Sequence, residues 1–302
     1  AMITREQAAS AYRVLDQAMA RFKDPTYYRM LPPDARQILI AASNFARGSL
    51  SVFRADGRAA LESADALDDS GFKLYALIAS QLRYLYHISR GEFAEANTHR
   101  EQVELHAEQV GSAWQVEVWE SAALTMVLAQ EGDVVALSRL QDRLETAKEE
   151  LPSLARYHRL AQRALGGQRA DHSHAIESAE FGGAHAPRSF IGWAAYQGLI
   201  ARDLNTRGEH ARALEVCRRA RAQMEPADRE YVTMFLPVLI QHALASDGLG
   251  RGDVARTELE TLLAEVEPSQ HPLALGLLHE ALMQVSARAG RSEAFEHHAR
   301  EM

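Results

Sequence analysis

The sequence is poor in several features that would assign it to a particular class of protein. It has one cysteine, Cys217, in 302 residues, which excludes an internal disulfide and a zinc site built from cysteines. β-Branched residues are few, with 15 Val, 9 Ile and 9 Thr beside 52 Ala and 35 Leu. No apolar run approaches the ~20 residues of a membrane-spanning helix. Because Ala and Leu favour helices and β-branched side chains favour strands, the composition predicts an all-α protein without a membrane segment.

The sequence has no excess of basic residues, with 33 Lys and Arg beside 41 Asp and Glu. The formal net charge is −8 at pH 7. A protein that binds nucleic acid usually presents a basic face, so we expect no nucleic-acid partner. The first residues show no signal-peptide pattern, and this favours a cytoplasmic location.

Motifs for catalysis, metals or cofactors are missing as well. The densest histidine group, at 171–174, lacks the i, i+4 spacing of helical metal ligands, so we interpret it as solvated surface. The Gly-Gly pairs at 166–167 and 182–183 are not followed by the Lys-Ser/Thr of a phosphate loop. Cys217 is expected to be a buried, inert thiol. We therefore predict no catalytic residue, no metal and no cofactor.

Internal repeats are the strongest signal that is present. Six glycines each precede a polar or acidic residue and then a helix-forming run: Gly57, Gly91, Gly132, Gly208, Gly252 and Gly290. Neighbouring members are 34 to 44 residues apart, except for one interval of 76 that holds Gly166-Gly167 near its middle. We interpret each unit as a helical hairpin whose glycine, in the left-handed conformation, ends the first helix. Prolines fall between the units, where no amide donor is needed.

The pattern predicts a single domain over 1–302, with an irregular stretch at 166–188 as the candidate hinge. Its helices are an N-terminal one over 4–22 and then seven pairs: 34–54 with 57–69, 72–89 with 92–110, 113–131 with 133–149, 153–165 with 171–180, 188–206 with 209–224, 229–249 with 253–266, and 272–288 with 292–302. Pro237 lies inside the helix predicted over 229–249. It should kink that helix or begin a new one, and a kink there would widen a groove.

One unit resembles a tetratricopeptide repeat at individual positions. The matching residues run from the large and small pair of the first helix, through the turn, to the small positions of the second helix and a closing proline: Ile200, Ala201, Leu204, Gly208, Ala213, Ala220 and Pro226. The longer spacing of other units resembles the MalT-like variant of this fold, and the resemblance covers about 36–302. It implies a right-handed superhelix of about seven antiparallel helix pairs, in which Ala213 and Ala220 face the partner helix without spare room.

In such a superhelix, the first helix of each pair lines the concave face, with four of its positions on one stripe. Counting back from the turn glycines places these candidates in the groove: Asn44, Arg47, Arg54, Tyr84, His87, Trp119, Met126, Arg202, Asn205, His242 and Gln284. This mixture suits a peptide, because Arg can fork onto carboxylates while Trp and Tyr supply apolar anchors. The same residues are equally consistent with a stripe that is solvated or packed against itself.

The repeats favour a non-catalytic interaction or sensing module that binds a protein partner, a peptide or a small regulatory ligand in this groove. One alternative is a MalT-like regulator domain, in which a small molecule binds inside the superhelix. An enzyme on a helical scaffold would instead need carboxylates or histidines converging in a cleft. The sequence also resembles the repeat regions of bacterial signalling proteins. Because the last predicted helix is short and lacks a capping helix, we expect part of a longer protein, or self-association through the C-terminal end.

Overall fold

The computed structural model describes residues 32–54, 56–111, 134–151, 154–168, 193–224, 232–269 and 271–302, with single residues at 17, 20, 21, 121, 124, 125 and 128. Within these residues it contains twelve α-helices and no strand, which confirms the prediction of an all-α protein for that part of the chain. The helices in chain order are α1 (Pro33–Phe53), α2 (Gly57–Asp68), α3 (Lys73–Arg90), α4 (Phe93–Val110), α5 (Val134–Glu150), α6 (Ala155–Gln168), α7 (Trp193–Thr206), α8 (His210–Ala222), α9 (Val232–Gly248), α10 (Gly252–Val266), α11 (Pro272–Arg288) and α12 (Ser292–Glu301).

The chain divides into two compact units, Ala1–Ala123 and Leu124–Met302. In the first unit α1 packs on α2, α2 on α3 and α3 on α4, and α1 also contacts α3. Its main core cluster is almost inaccessible to solvent and consists of Ala41, Ala64, Leu67, Ala79 and Leu82. Alanine at three of these five positions lets the helix backbones approach one another closely.

In the second unit the helices pack as neighbouring pairs, α5 with α6, α7 with α8, α9 with α10 and α11 with α12. The first helices of the last three pairs also contact one another, because α9 lies against both α7 and α11. We call α7, α9 and α11 the first-helix row. In α8, Ala213 and Ala220 are 0% and 2% exposed, as the packing prediction requires.

Four first helices end in the same backbone motif. The residues that take the left-handed conformation are Gly91, Gly208, Gly250 and Gly290, with φ of 75°, 75°, 79° and 66°. In each case the N–H of the following residue donates to the carbonyl five residues earlier, at 2.9–3.0 Å. This is the Schellman motif. Its recurrence after α3, α7, α9 and α11 is structural evidence of the internal repeat.

Two of the predicted turn glycines have a different role. Gly252 is the first residue of α10, and Gly250 is the left-handed residue that ends α9. Gly57 begins α2 and follows Asp56, whose side chain accepts a hydrogen bond from the N–H of Ala59 at 3.0 Å. The prediction was wrong at both positions because glycine is also tolerated at a helix start, and 248–252 contains three glycines to choose from.

The predicted helix boundaries otherwise agree with the described helices to within about three residues, except that the start predicted at 188 lies outside the described residues and α7 is described from Trp193. One local prediction was wrong, because α6 continues through 166–167 to Gln168. At Pro237 no new helix begins, since α9 runs through that residue, and the kink stays a prediction. The predicted segments 4–22, 113–131 and 171–180 and most of the hinge at 166–188 lie outside the described residues, apart from the single residues named above. The single domain over 1–302 stays a prediction.

Candidate functional site

A pocket of about 310 Å³ lies on the first-helix row of the second unit. Its lining residues all belong to α7, α9 and α11. Apolar side chains line it through Ala195, Leu199, Pro237, Ile240, Leu244 and Leu277. Polar and charged side chains line it through Arg202, Asn205, Gln241, Glu280, Gln284 and Arg288. An apolar concavity with a few polar groups is the usual form of a small-molecule site, and we call this one the Arg202 pocket.

The lining repeats from helix to helix. Each helix of the row contributes the residues six, nine, ten and thirteen positions before its left-handed glycine. The residues six positions before it are Arg202, Leu244 and Gln284, and those ten positions before it are Gly198, Ile240 and Glu280. Because the same motif ends all three helices, equivalent positions face the same side. The repeat therefore builds the wall of the pocket, and its chemistry depends on the side chain that each repeat places there.

Gly198 sets the distance between two walls of the pocket. A Cβ atom at Gly198 would lie 2.5 Å from Cβ of Pro237 and 2.9 Å from its carbonyl oxygen, closer than atoms can pack. Only a residue without a side chain allows α7 to approach α9 at this point. Pro237 itself supplies no N–H, so its ring presents an apolar surface to α7.

Arg202 is the unusual charged group of the pocket. No described residue forms a hydrogen bond or an ion pair with its guanidinium, and its Nη2 atom is buried. Burial lowers the pKa of this guanidinium, while the negative charges of Glu280 and Asp203 act in the opposite direction. The Asp203 carboxylate already accepts hydrogen bonds from Arg163 at 3.0 Å and from Arg207 at 2.7 Å. Arg202 therefore presents a partly desolvated positive charge to the pocket.

The opposite wall carries a carboxylate and an amide on α11. Gln284 Nε2 donates to Glu280 Oε1 at 3.2 Å, which holds Glu280 against its own helix. Among the described residues, Glu280 has no cationic partner within ion-pair distance. The second arginine of the lining, Arg288, donates to Asp247 at 2.8 Å and so is already neutralised. Arg202 and Glu280, a cation and a carboxylate without an ion-pair partner among the described residues, thus line the same pocket from different helices.

Asn205 links α7 to α9 through hydrogen bonds to Gln241, whose own N–H donors stay unused by this contact. Its Nδ2 donates to the backbone carbonyl and to Oε1 of Gln241, both at 3.0 Å, and its Oδ1 lies 3.2 Å from Nδ1 of His210. Both ends of the Asn205 amide are thereby used within the protein. Gln241 accepts this hydrogen bond through Oε1, so its Nε2 is not used by Asn205. In the described part of the chain, no residue accepts a hydrogen bond from Nε2 of Gln241. Gln241 therefore offers a further N–H group at the pocket.

The pocket brings together three of the eleven predicted groove residues, Arg202, Asn205 and Gln284. The fourth described candidate of this unit, His242, does not line the pocket. Its Nδ1 lies 2.9 Å from Oε2 of Glu258, on the side of α9 that packs against α10.

The predicted groove residues of the first unit have contacts within that unit. Asn44 and Tyr84 are buried, at 3% and 4% exposure. Arg47 lies 3.7 Å from a glutamate of α2, and His87 bonds at 2.8 Å to the glutamate that precedes α4. Arg54 follows α1 and is half-buried. The candidates outside the described residues are Trp119 and Met126. A groove shared by these residues with Arg202 stays a prediction.

Sequence reasoning missed Gly198, Gln241 and Glu280. The register of α9 was counted from Gly252, whereas Gly250 is the residue equivalent to Gly208 and Gly290. Counting the same ten positions back from Gly250 gives Ile240 rather than His242, and Gln241, nine positions back, lies beside it in the lining. The apolar pattern could not correct this error, since α9 is apolar around most of its circumference. The three missed residues could have been found by aligning the three helices on their left-handed glycines.

The cysteine and two of the histidines of the second unit have contacts within the protein core or between helices. Cys217 is 0% exposed, and burial raises the pKa of its thiol to about 12. Nδ1 of His279 and Nδ1 of His298 lie 3.1 Å apart between α11 and α12. The described residues contain no group of three or more His, Cys, Asp or Glu side chains arranged to hold a metal ion. None of the described helices has both the length and the apolar character needed to cross a bilayer.

Comparison with models of known protein families gives no match, and comparison with curated proteins gives none either.

Proposed function

We propose that this protein is a non-catalytic binding module that holds a ligand in the Arg202 pocket. In this proposal the helix pairs continue as a right-handed superhelix of the tetratricopeptide type, with about seven pairs, and the first-helix row forms part of its concave face. The repeated helix ends and the shared register of the pocket support that arrangement. The module would serve a larger bacterial regulatory protein in the cytoplasm.

The observation that carries the proposal is Arg202 in an apolar pocket formed by three successive repeats. A buried donor without a partner costs about 1–3 kcal/mol, and more when it is charged. A protein fold gains nothing from that cost, whereas a ligand that supplies an acceptor would recover it. The lining offers fixed charges and donors, and its ionisable groups are two arginines and one glutamate. Because arginine does not release its proton at ordinary pH, this set suits electrostatic recognition rather than proton transfer.

The size of the pocket favours a small regulatory ligand over a long peptide. At about 310 Å³ it lies at the lower end of the ~300–1,000 Å³ range of small-molecule sites. This observation favours the sensing form of the proposal, in which a small molecule bound across α7, α9 and α11 stabilises their relative arrangement.

A fluorescent reporter placed at the edge of the pocket tests this function. Thr206 is exposed and lines the pocket, so Thr206→Cys gives a site for an environment-sensitive thiol dye. The native Cys217 should remain unlabelled because it is buried and its pKa is raised to about 12. The matched control is Arg219→Cys, at an exposed position of α8 outside the lining.

Libraries of small metabolites and short peptides are then screened against both labelled proteins. We expect a ligand that changes the emission at position 206 but not at 219, and we expect Arg202→Gln to abolish that change. The proposed function would be refuted if no member of either library gave an Arg202-dependent signal.

A further inference from the structure

We infer that the Arg202 pocket binds a small zwitterion, whose carboxylate contacts Arg202 and whose ammonium group contacts Glu280. This inference rests on the proposed function and names the class of its ligand. The class is that of free aliphatic amino acids and their dipeptides, which carry both charges on a small apolar body.

The positive side of the site is suited to a carboxylate. Arginine presents a planar fork of N–H donors that matches the two oxygens of a carboxylate, and such charge-assisted pairs are among the strongest hydrogen bonds in proteins. No other carboxylate of the described residues occupies the Arg202 fork, since Asp203 is used by Arg163 and Arg207. Partial burial weakens the competition from water and so strengthens an added ion pair.

The negative side is suited to an ammonium group. Glu280 lies on α11, at the position equivalent to Gly198 on α7 and Ile240 on α9. Its Oε1 accepts from Gln284, which restricts the carboxylate, and its Oε2 accepts from no described residue. An ammonium group has three donors and no acceptor, so it complements the oxygens of Glu280 and Oε1 of Gln284, which accepts from no described residue.

The two charges stay apart although they attract one another. Glu280 is the leading charge that opposes the effect of burial on Arg202, yet no ion pair joins these two described residues. They belong to α7 and α11, which lie on either side of α9. A purely anionic ligand would be repelled by Glu280 and a purely cationic one by Arg202. Selectivity for a molecule with both charges follows from this arrangement.

The space between the charges accepts an aliphatic body. Leu199, Ile240, Leu244 and Leu277 belong to the lining, and together they come from all three helices. Burying one CH₂ group against such a surface contributes about 0.8 kcal/mol. Gln241 also belongs to the lining, and its Nε2 donates to no described residue, so it is available to a ligand carbonyl such as that of a dipeptide.

Calorimetric titration of the whole chain at pH 7 tests the inference with defined probes. L-Leucine and L-leucyl-L-leucine carry both charges, N-acetyl-L-leucine lacks the ammonium group, and L-leucinamide lacks the carboxylate. We expect at least one of the two zwitterions to bind roughly ten- to a hundredfold more tightly than either blocked form, the range for losing one hydrogen-bonded charge.

Two variants assign each charge to its residue. Arg202→Gln should weaken binding of the zwitterion by the same factor and should not weaken binding of L-leucinamide, because Arg202 repels that cation. Glu280→Gln should weaken binding of the zwitterion and should not weaken binding of N-acetyl-L-leucine, because Glu280 repels that anion. The controls are Arg219→Gln and Glu215→Gln, which remove the partners of an exposed ion pair on α8 and should change no affinity. None of the four variants should melt more than about 2 °C below the parent, which excludes unfolding as the cause.

The possible failures are distinguishable. If neither zwitterion binds while the reporter at position 206 responds to another library member, the ligand class is wrong and the binding function survives. If L-leucinamide binds as tightly as L-leucine, or if Arg202→Gln leaves the selectivity intact, the assignment of the carboxylate to Arg202 is overturned. If the calorimetry detects no binding and the reporter at position 206 responds to no library member, both proposals are overturned.

Discussion

The contact between Gly198 and Pro237 makes the Gly198→Ala variant a direct test of how the pocket is built. Alanine normally stabilises a helix interior by about 1 kcal/mol relative to glycine, because glycine has more backbone freedom to lose on folding. Helix propensity alone would therefore make Gly198→Ala more stable than the parent. The structure predicts instead that this variant is less stable.

The magnitude follows from the distances. The new methyl group would lie 2.5, 2.8 and 2.9 Å from Cβ, the carbonyl carbon and the carbonyl oxygen of Pro237. Two of these atoms are backbone and all belong to a proline, so the neighbour cannot turn away, and α7 must move from α9. Overpacking of this kind costs about 1–3 kcal/mol. Taking the upper value and subtracting the propensity gain of about 1 leaves a net loss of roughly 2 kcal/mol.

Gly276→Ala is the matched control for Gly198→Ala. Gly276 lies in the interior of α11, and no described atom is within 4 Å of its added Cβ. It should gain up to about 1 kcal/mol. Thermal unfolding followed by circular dichroism should therefore show Tm lowered by roughly 4–8 °C for Gly198→Ala and slightly raised for Gly276→Ala. Equal shifts of Tm in the two variants would refute the close approach of α7 and α9. Affinity for the pocket ligand should fall in Gly198→Ala alone.

Three further outcomes follow from the second unit. Ala213→Leu should destabilise the protein by about 1–3 kcal/mol in urea unfolding, because residue 213 is fully buried against its partner helix; an unchanged midpoint would show that its packing is misassigned. Asp203→Ala should lower the free energy of unfolding by about 3 kcal/mol in the same assay. The reason is that the Asp203 carboxylate is 5% exposed and pairs with two arginines, which would lose their partner. A loss below about 0.5 kcal/mol would contradict this prediction. Burial lowers the pKa of both His279 and His298, and the charge of His279 lowers that of His298 further, so their stabilising effect is complete above the ordinary pKa of 6.5 and is lost as the pH falls through the lowered values. Tm should therefore fall on acidification from pH 7.5, and His298→Asn should show a smaller fall than the parent; an equal fall would exclude the pair as the cause.

The helices could be predicted from the sequence because their signals are local. Alanine and leucine periodicity, glycine after a helix and proline between units each act within one or two turns, and most boundaries followed from them. The same local signals placed Arg202, Asn205 and Gln284 on one stripe, since a correct turn glycine was available for α7 and α11. They failed for α9, where three nearby glycines look alike and the apolar pattern covers most of the helix surface.

The role of the stripe depends on how the helices pack against one another. Arg202 and Glu280 are far apart in the sequence, and neither has a local feature that distinguishes it from other surface charges. Whether a charge is paired depends on which residues the neighbouring helices bring near it. The Asp203 carboxylate accepts a hydrogen bond from Arg163 on α6, whereas the guanidinium of the adjacent Arg202 has no partner among the described residues. Gly198 likewise has a role only because Pro237, on another helix, packs against it. Such contacts arise from the packing of whole helices, and no rule based on sequence spacing contains them.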